Sequence, residues 1–189
     1  MSLKKHWMSG NAEIAILAGG LSERMGSDKL RLRLGRRTVL GHVRALAESL
    51  RRPTRVIRED AIPRCGPIGG IYTALKQAKK PTLLILSGDM PFVTVDLTNR
   101  LINAARAKDR AVFVQSEHGF GFPGVIDTSS LPLVESQITD GRHSIQALAI
   151  ALNARAFTPP SRMTGDLFNL NTPEDLTAAR QRMRSERSG

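Results

Sequence analysis

A glycine-rich segment with two cations follows the first apolar run of the chain. Residues 14–18, which follow Glu13, are all apolar, and the segment 13–18 predicts a buried strand. The segment that leaves this strand reads Leu17-Ala18-Gly19-Gly20-Leu21-Ser22-Glu23-Arg24-Met25-Gly26-Ser27-Asp28-Lys29. Glycines let backbone N–H groups approach an anion closely, and the cations Arg24 and Lys29 neutralise its charge. The segment therefore predicts a loop that holds a polyphosphate.

Neither of the common nucleotide-binding patterns describes this loop. In the pattern G-x-x-x-x-G-K-[ST] the lysine follows the glycine directly, whereas Lys29 comes three residues after Gly26. The dinucleotide pattern G-x-G-x-x-G fails because Gly19 and Gly20 are adjacent. A tight turn explains the glycine pair equally well when it is considered alone.

A second candidate is Asp89, which follows the apolar run 82–87. This run predicts a central strand of a parallel sheet, and open α/β sheets bind ligands beyond the carboxyl ends of such strands. A turn or helix-capping role is the alternative for an isolated aspartate. Here the residue begins the run Asp89-Met90-Pro91-Phe92.

The two segments resemble corresponding loops of the MobA-like nucleotidyltransferases, whose best-known members are the molybdenum cofactor guanylyltransferases. The first matches the family pattern L-A-G-G-x-S-x-R-M-G-x-D-K, and the resemblance extends over about residues 14–176. It implies that Asp89 binds Mg²⁺ and that Arg24, Lys29 and Asp89 are catalytic. It also implies a nucleotide-binding set, which is Leu17, Ala18, Gly19, Gly20, Lys29, Asp60, Gly66 and Asp89.

The reaction implied by the resemblance is transfer of GMP from Mg²⁺-GTP to the phosphate of molybdopterin or its molybdenum form, with release of pyrophosphate. The attacking phosphate oxygen is already an anion, so no protein base is required. Catalysis then depends on positioning and on neutralisation of charge by Mg²⁺, Lys29 and Arg24. A protein that delivers molybdopterin is a further partner that the resemblance leaves open.

Three further segments resemble parts of the same family. Gly66-Pro67-Ile68-Gly69-Gly70 matches a turn beside the base and ribose. Asp60 falls about where the family has an acidic residue that contacts the nucleotide. Glu59 is equally well placed, and a solvated surface pair is the alternative for both carboxylates. Asn169 and Asn171, before Thr172, match a family segment that meets either the acceptor pocket or the surroundings of the Mg²⁺ ion, although two asparagines just as often form turns.

Alternating strand-like and helix-like segments predict the elements that position these residues. The expected fold is a single α/β domain, residues 1–189, with three α/β/α layers and a mostly parallel, Rossmann-like sheet similar to nucleotide-diphospho-sugar transferases. Residues 1–11 and 184–189 are expected to be flexible. Predicted strands are 13–18, 30–34, 54–58, 82–87, 111–115, 122–126 and 154–157, and predicted helices are 38–50, 71–78, 95–107, 144–152 and the segment after the cap Thr172.

Composition restricts the classes of partner. The net charge of +11, from 28 Lys and Arg against 17 Asp and Glu, favours anionic partners such as phosphorylated small molecules. The basic residues are scattered, which argues against a nucleic-acid binder. No apolar run approaches the roughly 20 residues that span a bilayer, and the start lacks a secretory pattern, so we expect no membrane association and a cytoplasmic location.

Other reactive side chains show no pattern of their own. Cys65 has no second cysteine with which to form a disulfide or metal site, and the four histidines lack ligand spacing. Ser22 and Ser87 have no base arranged for nucleophilic chemistry.

Two departures from the family pattern keep alternatives open. Leu50 and Thr54 are separated by three residues, where the family places a further strand ending in an asparagine that contacts the base. Gly121-Phe122-Pro123 lacks the polar residue or histidine that usually precedes the proline. The alternatives are a CTP-using or sugar-phosphate nucleotidyltransferase of the same fold, a catalytically silent nucleotide-binding module, and a nucleic-acid binder.

Overall fold

A six-stranded mixed sheet forms the centre of the computed structural model, which describes residues 2–19 and 29–188, with side chains to residue 185. Its strands lie in the order β4-β1-β5-β7-β6-β8, and β7 alone among them runs opposite to the rest. A separate pair, β2 and β3, forms a small hairpin. The strands are β1 (Ala12–Leu17), β2 (Arg33–Leu34), β3 (Arg37–Thr38), β4 (Thr54–Ile57), β5 (Thr82–Ser87), β6 (Ala111–Ser116), β7 (Gly119–Asp127) and β8 (Arg155–Phe157).

Helices cover both faces of the main sheet. They are α1 (Leu3–Met8), α2 (Val39–Ser49), α3 (Gly66–Lys76), α4 (Val95–Ala104), α5 (Leu131–Thr139), α6 (Ile145–Ala151) and α7 (Pro173–Ser188). Successive strand side chains point to opposite faces, so Ile14 and Ile16 enter the core beneath α1, α2, α4 and α7. Ala15 enters the second core, beneath α3, α5 and α6. The predicted three-layer fold with a mostly parallel sheet is confirmed. None of the described helices is both long and apolar enough to cross a bilayer.

The order of the strands creates a topological switch point at the carboxyl ends of β1 and β5. The chain leaves β1 towards β4 on one side, and it leaves β5 towards β6 on the other. Adjacent strands whose connections diverge in this way form the switch point where open α/β sheets bind ligands. The segments that begin after Leu17 and after Ser87 therefore meet at one edge of the sheet.

Three predicted helix starts are confirmed by their caps. Thr38 Oγ1 accepts the Gly41 N–H at 3.0 Å before α2, and Ser144 Oγ accepts the Ala147 N–H at 3.1 Å before α6. Thr172 Oγ1 accepts the Asp175 N–H at 3.1 Å, with Pro173 at the first position of α7. These side chains satisfy N–H groups that have no partner inside the helix.

The predicted strand 30–34 is wrong for most of its length. Residues Lys29–Arg31 form a 3₁₀ turn, and only Arg33 and Leu34 pair with β3. Leu30 and Leu34 are both buried, because the turn directs them into the core that α2 covers. Leu and Arg alternate over residues 30–34 as they would in a strand, but the burial of Leu30 and Leu34 against α2 decides the local structure.

The segment 66–70 is also not a turn. It forms the start of α3, so the helix begins at Gly66 rather than at Ile71. Pro67 fits the first helical turn, since its missing N–H would have no helical partner there and its φ is already helical. Gly69 and Gly70 are buried within the helix, where their missing side chains admit close neighbours.

Other differences concern the ends of elements and the amino terminus. Residues 1–11 were expected to be flexible, but α1 lies within them and buries Leu3 and Trp7 in the core. Helix α4 ends at Ala104 rather than at Ala107. Helix α5 was not predicted, although its Pro132 again occupies the first turn.

Candidate active site

The backbones that follow β1 and β5 touch at the switch point. Leu17 and Ser87 are register partners, and the Gly88 N–H donates to the Leu17 carbonyl at 2.8 Å. A Cβ at Gly88 would lie 2.9 Å from that carbonyl oxygen, so the close approach requires glycine here. The contact fixes the start of the Asp89 segment against the end of β1.

Asp89 is held at both its backbone and its side chain. The Met90 N–H donates to the Ser87 carbonyl at 3.3 Å, which closes a turn around Asp89, and the Leu170 N–H donates to the Asp89 carbonyl at 2.9 Å. The Ser87 hydroxyl donates to Oδ1 at 2.5 Å, and Lys29 Nζ donates to Oδ2 at 2.6 Å. The carboxylate therefore has a neutral donor on one oxygen and a cation on the other.

Lys29 joins the Asp89 segment to the segment before α7. Its ammonium donates to Asn171 Oδ1 at 2.9 Å as well as to Asp89. The side chains of Lys29 and Asp89 are only 17% and 16% exposed, so water screens their attraction less than it would at an open surface. The sequence-predicted residues Lys29, Asp89 and Asn171 thus form one polar cluster. Gly20, Arg24 and Gly26 lie outside the described residues.

Asp175 fixes the backbone that carries Asn171. Its Oδ2 accepts the N–H groups of Asn171 and Thr172, each at 2.8 Å. The pKa of Asp175 lies below its ordinary value because the Asn171 N–H stabilises the carboxylate. Burial opposes this effect, while the contacts with Thr172 and the charge of Lys29 add to it. Asp175 lies three residues after the predicted cap Thr172, and the side chain of each accepts the backbone N–H of the other, so the pair anchors this segment.

Asn169 lies on the same side of the chain as Asn171, but among the described residues its side chain does not contact Lys29. Both residues are exposed, and Leu170 between them is buried. The alternation expected for an extended segment is therefore present. Among the described side chains, only Asn171 of this pair reaches Lys29.

Aromatic and charged contacts brace the two segments below the cluster. The rings of Phe92 and Phe168 meet edge to face with centroids 5.8 Å apart. The Arg182 guanidinium lies 4.1 Å from the centroid of the Phe92 ring, and Arg182 Nη1 donates to the Gly165 carbonyl. Such packing limits movement of Asp89 relative to Asn171.

A second acidic group lies on the other side of the Gly19 backbone. The Asp60 carboxylate is close to Gly19, Gly69 and Gly70: a Cβ built on each would lie 3.0 to 3.4 Å from its oxygens. Burial raises the pKa of Asp60 above its ordinary value. Glu59 is exposed, so the structure distinguishes these neighbours, which the sequence did not.

The remaining predicted nucleotide residues lie along the same edge. Leu17 ends β1 and its side chain faces Gly70, while the Ala18 N–H donates to the Ile57 carbonyl at 2.7 Å. A Cβ at Gly19 would lie 2.9 Å from the Arg58 carbonyl oxygen, so this position also requires glycine. Gly66 begins α3 with a φ of +54°, beside the His143 carbonyl.

The donor set at Asp89 fits a hard divalent cation shared with a ligand. Among residues 2–19 and 29–188, no group of three or more His, Cys, Asp and Glu side chains could hold a metal alone. Mg²⁺ is typically bound by one or two carboxylates together with phosphate oxygens and water. Asp89 supplies one carboxylate, and its Oδ2 already faces a cation in Lys29. Among the described residues, Asp89 is therefore a carboxylate that could hold Mg²⁺ when a nucleotide supplies the other oxygens.

Comparison with known proteins gives consistent matches. Residues 14–155 match the model of the family described as MobA-like NTP transferase domain. A molybdenum cofactor guanylyltransferase of Rhizobium leguminosarum bv. trifolii is 30% identical, over 90% of this chain and 93% of that protein. A protein of Opitutus terrae named as a probable enzyme of the same kind is 30% identical, over 93% and 99% respectively.

A solved structure extends the match to the fold. The molybdopterin-guanine dinucleotide biosynthesis protein A of Archaeoglobus fulgidus superposes with a TM-score of 0.72. The superposition covers 92% of this chain and 99% of that one, at 21% sequence identity. At that identity the likeness supports the three-layer fold.

The Asp175 anchor gives a pH-dependent prediction. Because folding lowers the pKa of Asp175, its contribution to stability is present above its ordinary value of 3.8 and is lost as the pH falls through the lower folded value. We expect Asp175→Ala to reduce the free energy of unfolding by about 1 kcal/mol near neutral pH. Urea unfolding of both proteins at several pH values measures this difference.

Glu174→Ala is the matched control, because Glu174 lies in the same helical turn and is exposed. We expect a smaller change for it. An Asp175→Ala effect of the same size near neutral pH and well below pH 3.8 would contradict the assignment.

Proposed function

This chain belongs to the MobA-like NTP transferase family, and on that premise we propose that it transfers GMP from Mg²⁺-GTP to the phosphate of molybdopterin. Membership makes the protein a nucleotidyltransferase. Relatives named as molybdenum cofactor guanylyltransferases support the choice of donor and acceptor. The observation that carries the proposal is the contact of Lys29 with Asp89 and Asn171 at the switch point of the sheet. Cytoplasmic location and delivery of the acceptor by a second protein stay predictions.

The reaction is a displacement at the α-phosphorus of the nucleotide. An oxygen of the acceptor phosphate forms the new bond to phosphorus, and the bond to the oxygen that bridges towards the β-phosphorus breaks. Pyrophosphate leaves with that electron pair. The attacking oxygen carries no proton that must be removed, so the site needs cations and hydrogen-bond donors rather than a base.

Lys29 is positioned to bind the departing charge. Its ammonium, with Asp89 on one side and Asn171 on the other, lies where the Gly19 segment leaves β1. On binding of the triphosphate, Lys29 exchanges part of this contact for phosphate oxygens and offsets the negative charge that builds on pyrophosphate. Arg24 is proposed to act on the same charge. Bound Mg²⁺, held by Asp89, would supply further neutralisation and orientation of the phosphates.

The acceptor is proposed to approach over the segment before α7. Asn169 and Asn171 present exposed amide groups there, and the second already contacts Lys29. An acceptor phosphate that meets these amides lies close to the cation that serves the donor. Such proximity provides the rate advantage of holding both reactants in one geometry.

Asp60 is proposed to select guanine. Guanine presents adjacent N1–H and N2 amino donors, which two carboxylate oxygens can accept together. The Asp60 carboxylate is partly buried beside Gly19, Gly69 and Gly70, and none of the described residues donates a hydrogen bond to it. A ligand that donates two hydrogen bonds would offset the cost of that burial. Gly66, at the start of α3 in the same region, is proposed to line the nucleotide site.

Lys29→Ala tests the proposed chemistry. With Mg²⁺, GTP and molybdopterin, we expect wild-type protein to release pyrophosphate and the variant to turn over roughly 10²-fold more slowly or worse, because one partner of the transition-state charge is lost. A coupled pyrophosphate assay gives both rates. Lys108→Ala, at an exposed lysine after α4, is the control and should match wild type. Lys29→Ala activity within about twofold of wild type, far from the expected loss, would contradict the role of the cluster.

Asp60→Asn tests base selection. The amide keeps one acceptor oxygen but replaces the other by a donor, so we expect GTP binding to weaken by about 1–3 kcal/mol. Inosine triphosphate lacks the N2 amino group, and its binding should weaken less. Calorimetric titration with both nucleotides measures the two changes. Glu59→Gln is the neighbouring control with no expected effect, and an equal loss for both nucleotides in Asp60→Asn would count against guanine selection.

A further inference from the structure

Ser87 contacts the proposed metal ligand but has no part in the chemistry described above. It is the last residue of β5, in register with Leu17, and it is partly buried. Its hydroxyl donates to Asp89 Oδ1 at 2.5 Å. This distance lies at the short end expected for a hydroxyl bound to a carboxylate.

The two carboxylate oxygens of Asp89 have different partners. Oδ1 is engaged by Ser87, whereas Oδ2 faces the Lys29 ammonium at 2.6 Å. The backbone of Asp89 is fixed independently by the turn from Ser87 to Met90 and by the Leu170 N–H. Rotation of the carboxylate is therefore limited, and Oδ2 is the oxygen presented to a cation.

We propose that Ser87 is a positioning residue that keeps Asp89 a one-oxygen metal ligand and thereby favours Mg²⁺ over Ca²⁺. The inference rests on the proposed function, because it assumes that Asp89 binds the metal of a nucleotide complex. Mg²⁺ demands near-octahedral geometry at 2.0–2.1 Å, which a single carboxylate oxygen satisfies. Ca²⁺ takes 6–8 oxygens at longer distances and readily accepts both oxygens of one carboxylate.

Removal of the hydroxyl has a distinct expected consequence. In Ser87→Ala, Oδ1 loses its donor, and the carboxylate is free to turn both oxygens towards one ion. Loss of a hydrogen-bond partner behind a metal ligand typically lowers metal affinity by about 10–100-fold. For Ca²⁺ the second carboxylate oxygen compensates for part of that loss, so the preference for Mg²⁺ should narrow.

Competition against Mn²⁺ measures this preference without turnover. The protein is loaded with Mn²⁺ and a GTP analogue whose α,β-bridge cannot be cleaved, and Mg²⁺ or Ca²⁺ displaces the Mn²⁺ while its electron paramagnetic resonance signal is followed. We expect Ser87→Ala to weaken Mg²⁺ about tenfold, with a smaller change for Ca²⁺. Ser87→Thr keeps a hydroxyl and should have the same ratio of Mg²⁺ to Ca²⁺ affinity as wild type.

Two further variants make the result decisive. Ser49→Ala is the control, because it removes a hydroxyl from the end of α2. The chain continues from there to the start of β4, at the opposite ends of the strands from Asp89, so both affinities should be unchanged. Ser87→Cys has nearly the same shape as wild type but a weaker donor, so it tests the proposal even if Ser87→Ala does not fold. Thermal unfolding identifies variants that retain the fold.

The outcomes separate this inference from the proposed function. Suppose that wild type binds the metal, and that folded Ser87→Ala and Ser87→Cys keep the wild-type ratio of Mg²⁺ to Ca²⁺ affinity. The role of Ser87 is then wrong, while the proposed function is unaffected. If wild type binds no metal in the presence of the nucleotide analogue, the proposed function is contradicted, and so is the role of Ser87 that depends on it. A smaller ratio of Mg²⁺ to Ca²⁺ affinity in Ser87→Ala, together with a wild-type ratio in Ser87→Thr, supports both the role of Ser87 and the proposed function.

Discussion

The contact between Lys29 and Asp89 is the interaction on which the site depends. It joins the segment that follows β1 to the segment that follows β5, across 60 positions of sequence, and both side chains are largely withdrawn from water. A buried charge without a partner is strongly unfavourable, so each of these groups requires the other in the ligand-free protein. The same requirement makes the pair responsive to a ligand, because a triphosphate and a divalent cation offer each group a new partner of the right sign.

The rest of the fold can be understood as support for this contact. Gly88 permits the backbone of the Asp89 segment to lie against Leu17, and Asp175 holds the backbone of Asn171 beside Lys29. Phe92 and Phe168 pack beneath the two segments. Preorganised charges of this kind stabilise a transition state without rearranging during the reaction, which is the main source of catalysis for phosphate transfer. The acceptor brings its own negative charge, so the protein needs no general base.

Sequence patterns were sufficient where structure is decided locally. The cap Thr172 and the continuous apolar run 82–87 correctly predicted the start of α7 and the strand β5. They failed where distant packing decides, as at Leu30 and Leu34, whose burial against α2 converts an apparent strand into a turn and a short hairpin. The hydrogen bond of Lys29 with Asn171 spans 142 positions and had no sequence signal beyond the separate motifs. The choice between Asp60 and Glu59 likewise needed the fold, because only the fold places Gly69 and Gly70 of α3 against one of them.

Nucleotide-dependent unfolding tests whether Lys29 and Asp89 meet one metal-bound triphosphate. Wild-type protein is unfolded thermally with GTP and Mg²⁺, with GTP and a chelator, and with each other nucleoside triphosphate and Mg²⁺. At about 100 times its dissociation constant, GTP with Mg²⁺ should add roughly 2.7 kcal/mol to the free energy of unfolding. We expect a much smaller effect when Mg²⁺ is chelated, because the triphosphate then lacks the cation that Asp89 would share with it. Equal stabilisation by GTP with and without Mg²⁺, or none in either case, would contradict this expectation.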